Sequence, residues 1–369
     1  MVRLDRELEA APFRADPDGV LASLDPPVLL DEWQAVPEVL GAVKRAVDDH
    51  DGAGRFLLTG SVRAEMIAES WSATGRVVRV AQWGLTEREL TGDVAAASLF
   101  DRVAEHGLED FHPSDDPVDL RGYVELALRG SSPEVALQPS ASLRRRWLGS
   151  YVDQLVLRDA ALHDQDRDPT KLRRYLTTLA ANTAGVTEHK TIYDTAGTTR
   201  VTGVAYDGLL ELLFVTEQVP AWHSNRLNRL TRSPKRYLTE PALLGPLLGI
   251  DERGALRNGD ILGRLLDSFV VSQLRPEIEV ARWQPRLHHL RQEGGAHEID
   301  IVAEYPGGKV VAIEVKATSA PKTADARHLV WLRDQLGDDF IAGIVFHTGP
   351  RVIRIDDRIA ALPISCIWG

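Results

Sequence analysis

The chain of 369 residues is poor in three features that would each have fixed a function class. It has one cysteine, Cys366, which excludes an internal disulfide framework and a cysteine-based zinc cluster and fits a reducing compartment. It has no long hydrophobic run: Leu209-Leu210 and Leu212 to Val215, on either side of Glu211, fall far short of the roughly 20 residues that cross a bilayer. The opening Met1-Val2-Arg3-Leu4-Asp5-Arg6-Glu7-Leu8-Glu9 places acidic residues where an export signal needs an apolar stretch, so a soluble cytoplasmic protein, away from membranes, is expected. Basic charge is not in excess either. Lys and Arg number 43 against 54 Asp and Glu, a net charge of −11, which excludes a whole-surface electrostatic footprint for nucleic acid. Contact with DNA is then local. Between Trp222 and Arg236 stand five basic residues, Arg226, Arg229, Arg232, Lys235 and Arg236, and no acidic one. The first three recur every third residue and on a helix share a face, which is either a phosphate-binding stripe or a solvated basic surface.

What the chain does have is length and 44% apolar content, enough for two or three domains with separate cores. In residues 1–91, Val28-Leu29-Leu30 and Phe56-Leu57-Leu58-Thr59 read as buried strands, with helical spacing from Val36 to Val47 between them. Strands separated by helices predict a parallel α/β sheet. Residues 92–139 are acidic and broken by Pro113, Pro117 and Pro133, and read as a helical lid or linker. Residues 140–250 are helical. Within them Lys171 to Ala184 carries Leu172, Tyr175, Leu176 and Leu179 on one stripe. A short helix near Lys190 to Ala196, a break at Gly197 and a longer helix from Thr198 give a helix-turn-helix outline inside an expected winged-helix region. Its second helix holds Arg200 as its one basic residue beside Asp207 and Glu211, which favours packing against protein over base reading. Residues 251–369 open with an amphipathic helix, Asp260 to Leu274, followed by strands Val280 to Gln284, His297 to Ala303 and Val310 to Val315. A helix from Thr323 to Leu336 and a strand Ile341 to Phe346 complete an α/β order.

The first chemical constellation is Pro27-Val28-Leu29-Leu30-Asp31-Glu32-Trp33-Gln34, an apolar strand ending in two carboxylates. In a Walker B element the first carboxylate, here Asp31, holds Mg²⁺ through water and the second, Glu32, activates the attacking water. The alternative is two polar residues ending a core strand. Phe56 to Ser61 is a second strand, ending in a turn where Thr59 and Ser61 stand at a phosphate-sensing position, and Arg76 after Gly75 is a candidate cationic finger. Together, Leu4-Asp5, Ala15-Asp16-Pro17-Asp18-Gly19, Asp31 to Glu38, Lys44 to Asp48 and Gly54 to Ser61 closely resemble a large family of bacterial and archaeal AAA+-like ATPases. Those proteins carry a C-terminal domain of unknown function with a nuclease-like fold. The resemblance continues through Trp147 to Tyr151, Pro220-Ala221-Trp222 and Ser233 to Leu238 and reaches the last strand. It implies a P-loop-type α/β core, a winged-helix middle domain and a C-terminal restriction-endonuclease-like α/β domain. Family members begin with a strand and a Gly-x-x-x-x-Gly-Lys-Thr loop that cradles nucleotide phosphates. No such loop occurs here, and the one Gly-Lys pair, Gly308-Lys309, precedes Val310 in a hairpin. Met1 falls where that loop and its helix would already have ended, so a truncated core is expected, with ATP bound only by a longer form.

The second constellation is Glu298-Ile299-Asp300, a turn, and Glu314-Val315-Lys316. Alternation on strands points Asp300 with Glu298, and Glu314 with Lys316, while Ile299, Ile301, Ile313 and Val315 enter the core. An Asp and a Glu-x-Lys on adjacent strands match the site of restriction-type nucleases. There the carboxylates bind Mg²⁺ or Mn²⁺ and the lysine helps activate or position water for phosphodiester attack. Asp267, on the preceding helix, stands where the resemblance places a glutamate and is a third metal-ligand candidate, one methylene short. His288, His289 and His297 read as exposed and inert, and Trp283 and Trp331 as packing residues. Two functions follow. One is a metal-dependent DNA nuclease module attached to an AAA+-like ATPase, with Asp300, Glu314 and Lys316 catalytic beside Glu32 of the ATPase part. The other is a non-catalytic adaptor with degenerate sites that binds DNA, a protein partner or itself.

Overall fold

The computed structural model describes residues 1–50, 52–60, 75–92, 94–112, 116–163, 169–224, 229, 232–292 and 295–369, with the backbone alone for 158–163. The chain is mixed α/β, with three sheets among the described residues, and divides into two units: residues 1–80 with 208–215, and residues 81–207 with 216–369. No helix among the described residues is long and apolar enough to cross a membrane.

The first unit runs β1 (Val2–Arg3), α1 (Glu7–Ala15), α2 (Pro17–Ala22), β2 (Val28–Asp31), α3 (Val39–Asp48) and β3 (Phe56–Thr59). Its strands lie parallel in the order β1-β2-β3, the arrangement that strands separated by helices imply. Leu4, Phe13, Leu30, Trp33, Val36, Leu40 and Val43 form its core. The helix expected from Val36 starts at Val39. Val36 precedes Pro37, whose ring disfavours helical geometry in the residue before it, and Val36 is accordingly extended in φ, at −138°.

The second unit opens with α4 (Glu87–Thr91), α5 (Leu99–His106), α6 (Leu120–Arg129), α7 (Pro133–Ala136), α8 (Ala141–His163) and α9 (Pro169–Ala181). It continues with α10 (His189–Ala196), α11 (Arg200–Leu212), whose residues from Gly208 on fall in the first unit, β4 (Thr216–Val219), β5 (Lys235–Leu238), α12 (Leu244–Leu248), α13 (Glu252–Arg257) and α14 (Gly259–Val280). Last come β6 (Arg286–Arg291), β7 (Glu298–Glu304), β8 (Val310–Lys316), α15 (Arg327–Leu336), β9 (Phe340–His347), β10 (Ile353–Asp356) and β11 (Ile359–Pro363). Six of these strands make one sheet in the order β10-β11-β9-β8-β7-β6. Its middle, β8 with β9 and β9 with β11, is parallel, and β6-β7-β8 is an antiparallel meander. Leu329 and Leu332 of α15 pack on Val302, Val310, Ala312 and Val345, and α14 packs beside β8. Between α10 and α11, Gly197 takes φ of +66°, a left-handed geometry that stops one helix and turns the chain into the next.

Two expectations are corrected. Val280 to Gln284 is not a strand: α14 runs on through Pro276 to Val280, and the strand begins at Arg286. The acidic stretch 92–139 is helical, yet it is no separate lid, because α5 and α6 pack directly on α14. Its neighbour α4 is bound in the same way, with the Glu87 N–H donating to Gln273 Oε1 at 2.8 Å.

Candidate functional site

The turn between β7 and β8 needs two residues of positive φ, which Gly307 and Gly308 supply at +94° and +92°. It sets a register in which Ile301 opposes Ile313 and Val302 opposes Ala312. Alternation then buries Ile299, Ile301 and Ile313 and brings Asp300 against the Glu314 strand. Oδ2 of Asp300 accepts from the Val315 N–H at 3.0 Å, and Lys316 Nζ lies 2.6 Å from Glu314 Oε2. Val315 itself is half-buried rather than in the core. Two elements outside this hairpin complete the site. From α14, Asp267 is buried; from β5, Lys235 places Nζ 2.5 Å from Asp267 Oδ2 and 3.1 Å from Asp300 Oδ1. The Tyr237 hydroxyl donates to Asp267 Oδ1 at 3.0 Å.

Burial and charge divide these groups. Burial raises the Asp267 carboxyl, and Lys235 only partly offsets that, leaving it at about 6. Burial acts on Asp300 in the same sense, but Lys235, Lys316 and the Val315 N–H outweigh it and hold the carboxyl near 2. Asp300 is therefore the fixed negative charge of the site. Glu314 is pushed well above the usual carboxylate range by burial and by the charge of Asp300, which its carboxyl faces. For both lysines, burial works against the ammonium while the neighbouring carboxylates stabilise it, and the net direction is upward. Lys316 thus stays charged and acts as a point cation rather than a base.

Oε1 of Glu314 is buried and has no hydrogen-bond partner. Two ionised carboxylates have no hydrogen to share, so this oxygen is satisfied by a proton on Glu314 or by a cation between it and Asp300. That decides how far the residues fit a divalent ion. Among the described residues no group of three or more His, Cys, Asp or Glu side chains is arranged to hold a metal. Asp300 and Glu314 remain as a pair, and a hard ion such as Mg²⁺ is commonly held by one or two carboxylates and its own waters. The pair fits a hydrated ion. Asp267, expected as a third ligand, does not join it, because Lys235 stands against it.

The other expected residues fall elsewhere. In the first unit the Thr59 hydroxyl donates to Asp31 Oδ1 at 2.7 Å, and Glu32, at φ of +53°, accepts from the Gln34 amide. Arg76 pairs with Asp48 on α3. Ser61 and Arg226 lie outside the described residues. The basic stretch does not present one face. Arg229 makes a two-pronged pair with Glu304 at 2.5 and 2.9 Å, and Arg232 donates to the Arg291 carbonyl at 2.8 Å. Lys235 and Arg236 are buried, with Arg236 donating to the Thr187 carbonyl at 2.7 Å and bonded to His189. A nucleic-acid role for these two is corrected, since their charges are neutralised or bonded inside the unit. His288 and His289 are likewise buried rather than exposed, because β6 is covered on the faces they occupy. His297 stacks on Trp331 with ring centroids 3.9 Å apart. Asp207 does not face outward as an acidic residue of α11: Tyr175 and Tyr193 donate to it at 2.6 and 2.8 Å. Tyr237 is not marked by reasoning from sequence, and Lys235, expected as a nucleic-acid contact, instead faces inward to the carboxylates; no local sequence signal distinguishes either.

Three family models match the chain: an AAA domain over residues 2–91, a domain of unknown function (DUF8612) over 120–254 and another (DUF4143) over 262–367. The chain is similar to an AAA-like ATPase family with a DUF4143 C-terminal domain. Its similar relatives include the uncharacterized proteins Rv2008c of Mycobacterium tuberculosis and Mb2031c of Mycobacterium bovis. Each is 29% identical over 360 residues, 96% of this chain and 72% of the relative. No solved structure matches. The site described above crosses the family-model boundaries. Lys235 and Tyr237 fall in the DUF8612 span, and Asp267, Asp300, Glu314 and Lys316 in the DUF4143 span.

Proposed function

We propose that the DUF4143 part of this chain is a restriction-endonuclease-like module that hydrolyses phosphodiester bonds in DNA with a divalent ion, Mg²⁺ or Mn²⁺, beside an AAA-like ATPase part. The observation that carries the reading is the buried, unpartnered Glu314 Oε1 facing Asp300 on the strand that also presents Lys316. When bound, the ion polarises a phosphoryl oxygen and makes a water more acidic. Asp300 and Glu314 would hold it. Asp300, held below the usual carboxylate range by two lysines, supplies the negative charge that would attract a cation, and Glu314, raised by burial beside it, would complete the pair of carboxylate ligands. The charged Lys316, partly exposed at the rim, orients a phosphate oxygen electrostatically. Element order supports a winged-helix reading of the middle segment: α9, a bridge at Gly185 to Arg236, α10, the Gly197 turn, α11, then the antiparallel β4 and β5. Asp31, Glu32 and Thr59 supply no phosphate cradle, so these three residues by themselves do not fit ATP.

Manganese titrated into the chain and into Asp300→Ala/Glu314→Ala, with plasmid cleavage measured in parallel, tests the reading. Binding and cleavage in the parent, both lost in the variant, are expected; equal behaviour of the two proteins sinks it. A second reading, a non-catalytic adaptor, is favoured by one feature of α11. Its outward residues include Val201 and Val204, 82% and 55% exposed, an apolar surface suited to a protein partner rather than to phosphates. Absence of DNA cleavage, together with a pulled-down partner lost in Val201→Glu/Val204→Glu, would move the assignment there.

A further inference from the structure

A carboxylate buried among apolar neighbours needs a cation or a proton, and two carboxylates set to share a cation make one cation position, which becomes half of a two-metal site when one of the two also faces a second cation. Asp267 and Asp300 form such a frame, from α14 and β7, and what lies between them is the Lys235 ammonium. Its Nζ is 2.5 Å from one carboxylate and 3.1 Å from the other, with the Asp300 carbonyl oxygen at 3.4 Å. The side chain is buried, and the remaining oxygen of Asp267 is taken by the Tyr237 hydroxyl. Asp300 in turn shares its charge between Lys235 on one side and the Glu314–Lys316 pair on the other. A carboxylate bridging two cationic positions is how paired metal ions are linked.

We propose that Lys235 is a built-in cation that fills the second metal position of this site, so that the site takes one divalent ion, at Asp300 and Glu314. This rests on the metal-binding reading above and deepens it. Lys235 is a positioning residue: it acts through Asp300, whose Oδ1 it holds while the Val315 N–H holds Oδ2. Its tether is the strand β5, fixed by the bridge from Gly185 to Arg236 and by the pairing with β4, so the ammonium cannot dissociate as an ion would. The cation thus comes from one family-model span and its carboxylates from the next.

The test counts metal ions by calorimetry and by electron paramagnetic resonance of Mn²⁺ on the full chain, with Asp300→Ala/Glu314→Ala as the blank for surface binding. The parent is expected to bind one site-specific Mn²⁺ with the six-line spectrum of an isolated ion. Lys235→Met is expected to bind two, with the broadened spectrum of a coupled pair, and Lys235→Met/Asp267→Asn to return to one. Lys235→Arg, which keeps the charge, stays at one. A merely structural lysine would not change the count upward. One ion in a natively folded Lys235→Met overturns the inference and leaves the one-ion reading standing. No ion in the parent retires the metal-dependent function and the inference with it, whatever Lys235→Met binds. A coupled pair in the parent, measurable even if every Lys235 variant fails to fold, overturns the inference outright, and absence of ions throughout overturns both.

Discussion

Glu314 and His289 show how a single buried group sets a measurable property. Burial and the neighbouring Asp300 charge push the Glu314 carboxyl well above the usual carboxylate range against the opposing Lys316 ammonium, so a neutral amide of the same shape is expected to replace the acid with little loss. Glu314→Gln is expected to change unfolding stability by no more than about 1 kcal/mol, while Mn²⁺ affinity falls by roughly tenfold or more. Denaturant unfolding and metal titration on one preparation check this, and a large stability loss would show that Glu314 is ionised. His289 works through pH. Burial lowers its ring from 6.5 to about 4, and its Nε2 lies 3.1 Å from the Ser233 carbonyl, which only accepts, so the ring is neutral and donates from Nε2. A depressed folded value means that its contribution is full above pH 6.5 and is lost as pH falls toward 4. The parent should lose up to about 1.4 kcal/mol per pH unit across that window from this ring. His289→Gln should have a visibly flatter profile, and parallel profiles would refute the assignment. These two residues also mark what the sequence can and cannot convey. Alternation on two strands is enough to bring Asp300, Glu314 and Lys316 together. Lys235 is 65 positions from Asp300, and nothing in the local pattern of Ser233-Pro234-Lys235-Arg236 distinguishes an inward lysine from a solvated one.

At the scale of elements, local rules held where local forces decided the outcome and failed where distant partners did. The parallel sheet of the first unit and the β7–β8 hairpin follow from apolar runs and glycine turns. The end of α14 does not. Pro276 argues for a break near Leu274, yet the helix continues, because Gln273 and Glu277, before and beyond that proline, are held by α4 and α5. The α10–α11 pair has a comparable anchor in Asp207, which accepts from two tyrosines on two other helices, α9 and α10. Those hydroxyls are driven further from ionisation by burial and by the Asp207 charge, so each remains a donor. Asp207→Ala would strand two donors and is expected to destabilise the unit by about 1–3 kcal/mol. Tyr193→Phe, which leaves Tyr175 still donating, should have the smaller effect. The two variants unfolded side by side decide it: equal losses would mean that Asp207 does not tie the three helices.

For the molecule as a whole, the boundaries of sequence families and those of physical units differ. The AAA match ends at residue 91, yet the N-terminal stretch of the first unit ends at Val80, and α4 belongs to the second unit with the C-terminal sheet. One carboxylate explains much of that. Glu277, 3% exposed on α14, accepts from Arg88 Nε at 2.7 Å and from the Leu99 N–H at 2.8 Å, while Arg88 also donates to the Ile367 carbonyl at 2.6 Å. Residues from α4, the start of α5, α14 and the C-terminal end therefore meet at a single buried ion pair. Burying two charges is itself expensive, so the pair is no measure of net stability, but removing one member leaves the other uncompensated. Glu277→Ala is expected to destabilise the second unit by about 3–5 kcal/mol, and Glu277→Ala/Arg88→Met to recover part of that loss. Because the partners span one compact unit, the shift should be the same by tryptophan fluorescence and by circular dichroism, as one cooperative transition. A loss under about 1 kcal/mol, or two separated transitions in the parent for residues 81–369, would mean that α4 and α5 are appended to the C-terminal sheet rather than part of what keeps it folded.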